Sequence, residues 1–235
     1  MELQLLTKAI EKAIDQNDID FLLDILMKYD ELFDLVLEKI CDNYSKRESK
    51  DLYLKGIIDF LYSIVEFRKG NYDRSRYWAY LSYSKGLKEI ANLVLILIDI
   101  NESLELNKEF SKGKFISIVS KILDDIVLLE YALLKYYSVF GKLSLFNLIY
   151  NLKTIFVKNE NLFILELYFL KEIDNLDYNH ILKILLDNID KYENIQYILE
   201  MFYELFYKEI ELFKDNDEYY YSFKLKEMLK KYDIY

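Results

Sequence analysis

The chain has 235 residues, 53% of them hydrophobic and 31% charged, with no proline, one cysteine and a formal charge of −10. That composition excludes a disordered chain and an internal disulfide, and the length suits one domain or two small ones. Without proline no helix loses a backbone donor or gains a fixed kink, and leucine, isoleucine, lysine and glutamate in helical spacing predict an all-α protein.

At the N-terminus, Met1-Glu2-Leu3-Gln4 lacks the basic start and apolar stretch of a signal peptide. The longest apolar run, Leu93 to Ile98, falls far short of the ~20 residues that cross a bilayer. A soluble, cytoplasmic protein without membrane contact is expected, with Cys41 reduced and buried in an apolar helix and the sequons at Asn43 and Asn101 unused. The segment Asp15-Gln16-Asn17-Asp18-Ile19-Asp20 begins like a calcium loop but lacks the turn glycine and closing glutamate. It reads as a helix break with capping aspartates.

Polar breaks then recur near Asn17, Lys46-Ser49, Lys69-Asn71, Lys85-Gly86, Asn107-Lys108, Phe140-Lys142, Asn159-Asn161, Asn175-Asp177, Lys191-Asn194 and Asp215-Asp217. Between them apolar residues repeat at three and four, as in the stripes Leu162, Leu165, Phe169, Ile173 and Ile195, Ile198, Phe202, Leu205, Phe206. No period-two alternation persists, so strands are not expected. Asn71, Asn107, Lys142 and Asp177 are separated by 36, 35 and 35 residues. Two helices and a short turn fill that spacing, which predicts about ten or eleven helices in stacked antiparallel hairpins, a solenoid-like array. The organisation expected is one all-α domain over 1–235, with an N-terminal subregion 1–45 ahead of the hairpins. Ile90–Ile100 and Ile126–Phe140, the most apolar helices, should be buried on nearly all sides.

Charge is unevenly placed. All four arginines (Arg47, Arg68, Arg74, Arg76) and the only tryptophan, Trp78, fall between Tyr44 and Lys88, where ten basic residues face five acidic ones. The flanks carry −7 over 1–43 and −8 over 89–235. Guanidinium groups pair with carboxylates or phosphates and stack on rings, so Arg68, Lys69, Arg74, Arg76, Trp78 and Lys85 are the candidate partner-binding residues. Within Tyr72–Gly86, Ser75, Ala79, Ser82 and Gly86 form a small-residue stripe suited to close helix packing. Beside it runs a second stripe, Arg74, Trp78, Leu81, Lys85 and Lys88. That stripe is open to two readings: a docking surface, or cations paired with the chain's own surplus carboxylates while Trp78 sits in the core.

Two families resemble this window. Tyr62-Ser63, Gly70-Asn71-Tyr72-Asp73-Arg74-Ser75, Ala79 and Ser82 resemble a tetratricopeptide repeat over residues 56–89, with Ser63, Ser75 and Ser82 at the small positions and Gly70 with Tyr72 at the turn. The resemblance implies a helical hairpin in a protein-binding array. Gly70, Ser75, Tyr80, Ser82, Lys88 and Ile90-Ala91 also look like the central helix of small archaeal proteins of the nucleotide-binding-associated HEPN superfamily, which implies an up-and-down bundle. The nuclease site of that superfamily, an arginine followed a few residues later by a histidine, does not carry over, because the sole histidine, His180, has no arginine near it.

Catalytic chemistry finds little support. One histidine and one cysteine cannot supply a zinc site, no glycine-rich phosphate loop exists, and Asp124-Asp125 reads as a cap for the helix after it. The last helix, Tyr219 to Tyr235, gathers Lys224, Lys226, Lys230 and Lys231 against its dipole. The expectation is a non-enzymatic interaction or scaffold module without a cofactor, holding a protein or peptide at the basic and aromatic island. The alternative is a nucleic-acid-associated helical protein or an acidic mimic of nucleic acid; at −10, long-range repulsion disfavours nucleic-acid binding. Self-association is also expected, since twenty-three tyrosines and fifteen phenylalanines exceed what one small core hides.

Overall fold

The computed structural model describes residues 2–16, 18, 21, 52–105, 112–212 and 220–234. These residues are all-α: eleven α-helices and one 3-10 turn, with no strand among them. The helices are α1 (Glu2–Gln16), α2 (Leu52–Arg68), α3 (Tyr72–Ser84), α4 (Lys88–Leu104), α5 (Lys112–Val119), α6 (Ile126–Ile155), α7 (Glu160–Glu172), α8 (Tyr178–Asn188), α9 (Ile195–Leu205), α10 (Tyr207–Leu212) and α11 (Tyr220–Lys231), with the 3-10 turn at Ile189–Lys191. Cys41, Arg47 and the breaks at Lys46-Ser49, Asn107-Lys108 and Asp215-Asp217 lie outside the described residues. The chain forms two compact units, Met1–Glu105 and Leu106–Tyr235, divided beside the polar break at Asn107-Lys108.

The breaks in the sequence become helix ends through identifiable chemistry. Helix α1 ends at Gln16, beside the expected break at Asn17, and Asp18 accepts a hydrogen bond from the Phe21 amide at 3.1 Å. Asp125 caps α6 through the Leu128 amide at 3.0 Å, and Asn159 caps α7 through the Leu162 amide at 2.9 Å. Asp177 does the same for α8 and Asn194 for α9. One helix end was not expected: the stripe ending at Leu205-Phe206 is interrupted, because the chain turns at fully buried Phe206 and restarts as α10.

In the first unit α2, α3 and α4 pack around Ile57, Phe60, Leu61, Ile64, Leu87 and Val94, and Ile10 and Ala13 of α1 join the same core. Helices α2 and α3 approach closely because small side chains lie between them. Ser63, Ser75, Ala79 and Ser82 are wholly buried, and the Ser75 hydroxyl donates to the Ser63 carbonyl at 2.6 Å. Gly56 allows a second close approach: a Cβ there would stand 3.0 Å from Leu87 Cδ1 and 3.2 Å from Lys85 Cβ. Helix α4 is buried as its composition predicts, with only Asn92 exposed between Ile90 and Ile100.

The second unit gathers α7 to α11 around Phe163, Leu182, Phe202 and Phe206, with Phe202 and Phe206 stacked at 4.3 Å. Burial pushes the Tyr192 hydroxyl up to about 12 and raises that of Tyr178 further, so both remain neutral core phenols. In α6 the expectation of all-round burial fails: Val127 and Leu134 are exposed, while Leu129, Ala132 and Leu133 are buried. Composition sets how much a helix could bury, and the neighbouring helices set how much it does.

Helix α6 is bent where the sequence marked a break. Gly141 holds φ 77 and ψ 178, a conformation open essentially to glycine alone, and it separates two helical halves. Nothing stands within 4 Å of a Cβ built there, so the constraint is backbone strain without crowding. Gly141→Ala should therefore cost about 1–3 kcal/mol in urea unfolding, with the helical circular-dichroism signal retained. A neutral substitution would show that the bend is dispensable.

Candidate functional site

The basic island folds onto α3 and the two turns that flank it. Six candidate residues divide into four situations. Arg76 extends along α4, donating to Asp99 at 3.1 Å and Glu102 at 3.0 Å. Burial works to lower the guanidinium pKa, but the bond to Asp99 and the charges of Glu102 and Asp99 outweigh it and raise it. Lys85, in the turn after α3, pairs with Asp59 of α2, whose side chain is largely buried. The charges of these two cations are taken up inside the unit.

Arg68, half-buried, and Lys69, exposed, flank the turn before α3 and also interact within the chain. Trp78 is half-buried between two tyrosines, stacked on Tyr62 at 4.9 Å and met edge-on by Tyr77 at 5.3 Å. Arg74 is exposed and has no hydrogen bond or ion pair among the described residues. The island thus splits: Arg76 and Lys85 hold the hairpin together, Trp78 braces it, and Arg74 faces solvent.

What faces solvent beside Arg74 is aromatic. Tyr77 is 59% and Tyr80 56% exposed, and both lie opposite the buried Ser75, Ala79, Ser82 stripe. Tyr83 is exposed at the helix end, with the Lys88 ammonium over its ring at 5.8 Å. Residues 52–88 carry seven basic and three acidic side chains, a formal excess of four positive charges, part of which Arg76 and Lys85 place in ion pairs. Sequence reasoning missed the tyrosines, although the signal was present: a stripe of small buried residues fixes the opposite positions as outward.

The sole histidine, His180, has a structural explanation. His180 is exposed and bonds through Nδ1 to Asp177, which also accepts the Asn179 amide at 2.8 Å as the α8 cap. The His180 contact, with the backbone bonds, holds the Asp177 carboxyl below its usual range. Among the described residues no cluster of histidine, cysteine or carboxylates is arranged to hold a metal ion, and no helix is long and apolar enough to cross a membrane.

The Asp59–Lys85 pair makes a testable asymmetry. Burial pushes the Asp59 carboxyl up, and Lys85 draws it back only in part. The folded state therefore binds this proton more readily than the unfolded chain. The group's contribution to stability is greatest below the ordinary carboxylate pKa, about 3.9, and declines as pH rises through its raised value. Lys85→Met leaves a buried unpaired carboxylate and should cost about 3 kcal/mol at pH 7, whereas Asp59→Leu with Lys85→Met should recover most of that. The single-variant deficit should narrow as pH falls and Asp59 protonates, as urea unfolding at neutral and mildly acid pH will report.

Compared with known proteins, the chain matches no protein-family model, no curated protein and no solved structure.

Proposed function

We propose that the chain is a non-enzymatic protein-binding module that docks a segment of another protein on the exposed face of α3, over Arg74, Tyr77 and Tyr80. The observation that carries this reading is the pair of solvent-facing tyrosines on a helix held rigidly from behind. Tyrosine and arginine supply large contact area and directed hydrogen bonds at low entropic cost, which is why they dominate binding hot spots. Tyr77 is braced by Trp78, so little ordering remains to be done on binding. The formally basic character of residues 52–88 favours an acidic segment, and Arg74, exposed on α3, is the cation placed to pair with it.

The test is affinity capture from native extract by the full chain, with and without nuclease, followed by direct binding of the purified partner. Arg74→Glu with Tyr80→Ala should fold normally, since surface changes away from special features alter stability by less than about 0.5 kcal/mol each. The same variant should weaken partner binding by roughly thirtyfold or more, the effect of removing a hot spot. A partner that this variant holds as tightly as the wild type defeats the proposal. Loss of all captured material after nuclease points instead to a nucleic-acid-associated protein.

A further inference from the structure

The solvent-facing tyrosines of α3 belong to a longer row. Arg74, Tyr77, Tyr80 and Tyr83 step by three along the helix, and all four are exposed. Residues three apart on a helix stand about 5–6 Å apart at Cβ and form a file that crosses its surface obliquely. This file leads from the Arg74 guanidinium to Tyr83, where the Lys88 ammonium lies over the ring at 5.8 Å. Lys88 is exposed and, like Arg74, has no ion pair among the described residues.

The neighbours of the row decide what fits it. Arg76, on one flank, is held by Asp99 and Glu102, and the exposed Asp73 and Glu89 adjoin Arg74 and Lys88 in sequence. Positive charge open to a partner therefore stands at the two ends, with tyrosine rings between. A docking helix needs a facing apolar stripe about 100° wide, whereas this single file is bordered by Asp73 and Ser84. An extended chain needs only a line, since its side chains recur on one side about every 6.6 Å, near the spacing of the row. Three steps of the row cover about 15–18 Å, the reach of about five or six extended residues.

Resting on the reading of α3 as a docking site, we propose that the docked segment lies extended along this row, with one acidic side chain at Arg74 and a second, about five or six residues away, at Lys88. Two cations at fixed points select register as well as partner. An acidic side chain in the middle of the segment meets Asp73 on one flank and, on the other, an Arg76 already held by two carboxylates. The residues between the two acids are uncharged and apolar, which is what Tyr77 and Tyr80 are suited to cover.

Fluorescence anisotropy of capped, dye-labelled peptides titrated with the full chain tests this. In one uncharged background of proline, leucine and serine, the peptides carry two glutamates side by side, about six residues apart, or about twice as far apart. The intermediate spacing should bind about tenfold more tightly than either of the others. Arg74→Glu and Lys88→Glu should each weaken that peptide about tenfold. Both positions lie in the first turn of a helix, where an acid is favoured, so both variants should keep the wild-type melting temperature. Affinity that ignores the spacing overturns the proposal. So does the failure of every peptide to bind, or an oligothymidine that binds more tightly than all of them. A partner purified by affinity capture separates this inference from the reading beneath it. If Arg74→Glu with Tyr80→Ala weakens that partner and Lys88→Glu does not, the extended row falls while the docking site on α3 stands.

Discussion

Helix α3 can lie against its neighbours in only one rotational setting, and the features of the first unit follow from that. Beneath it, Ser75, Ala79 and Ser82 leave no side chain large enough to hold α2 away, and the Ser75 hydroxyl bonds directly to the α2 backbone. To one side, Arg76 bridges two carboxylates a turn apart on α4. A helix fixed on two sides has its remaining side chosen for it. Tyr77 and Tyr80 face solvent because they lie opposite the side of α3 that packs on α2.

Cations that cluster in an acidic chain have two fates, and burial decides between them. Arg76 and Lys85 emerge where α3 and its following turn meet α4 and α2, within reach of Asp99, Glu102 and Asp59. Partly shielded from water, a charge-assisted bond is stronger than a neutral one, and neither group can be removed without stranding the other. Arg74 emerges from the opposite flank, where no carboxylate stands opposite it among the described residues. Part of the local positive charge is thus spent on holding the hairpin, and Arg74 is left at the surface.

The fold class and most helix ends could be read from the sequence because their causes are local. Asp125, Asn159 and Asp177 cap helices within three residues of themselves, and Gly141 bends α6 through its own φ and ψ. The fates of Arg76 and Lys85 could not be read, since their partners lie 23 and 26 residues away and depend on how three helices pack. The solvent-facing tyrosines were within reach, because Tyr77 and Tyr80 oppose a stripe whose burial was expected. Their abundance in the whole chain hid them: twenty-three tyrosines look like compositional bias until a helix orients two of them. The interruption of the second unit's stripe at Phe206 had no local signal, since Leu205-Phe206-Tyr207 continues the apolar spacing and only the core fixes the turn.

The most direct measurement is a double-mutant cycle between Arg76 and Glu102, each replaced by alanine singly and together, read by urea unfolding. If Arg76 fixes α3 on α4, the two changes should be coupled by about 1–2 kcal/mol, with the double variant far less destabilised than the sum of the singles. Additive changes, within about 0.3 kcal/mol, would contradict the account. They would mean that Arg76 is not spent on the fold and that the setting of α3 has another cause.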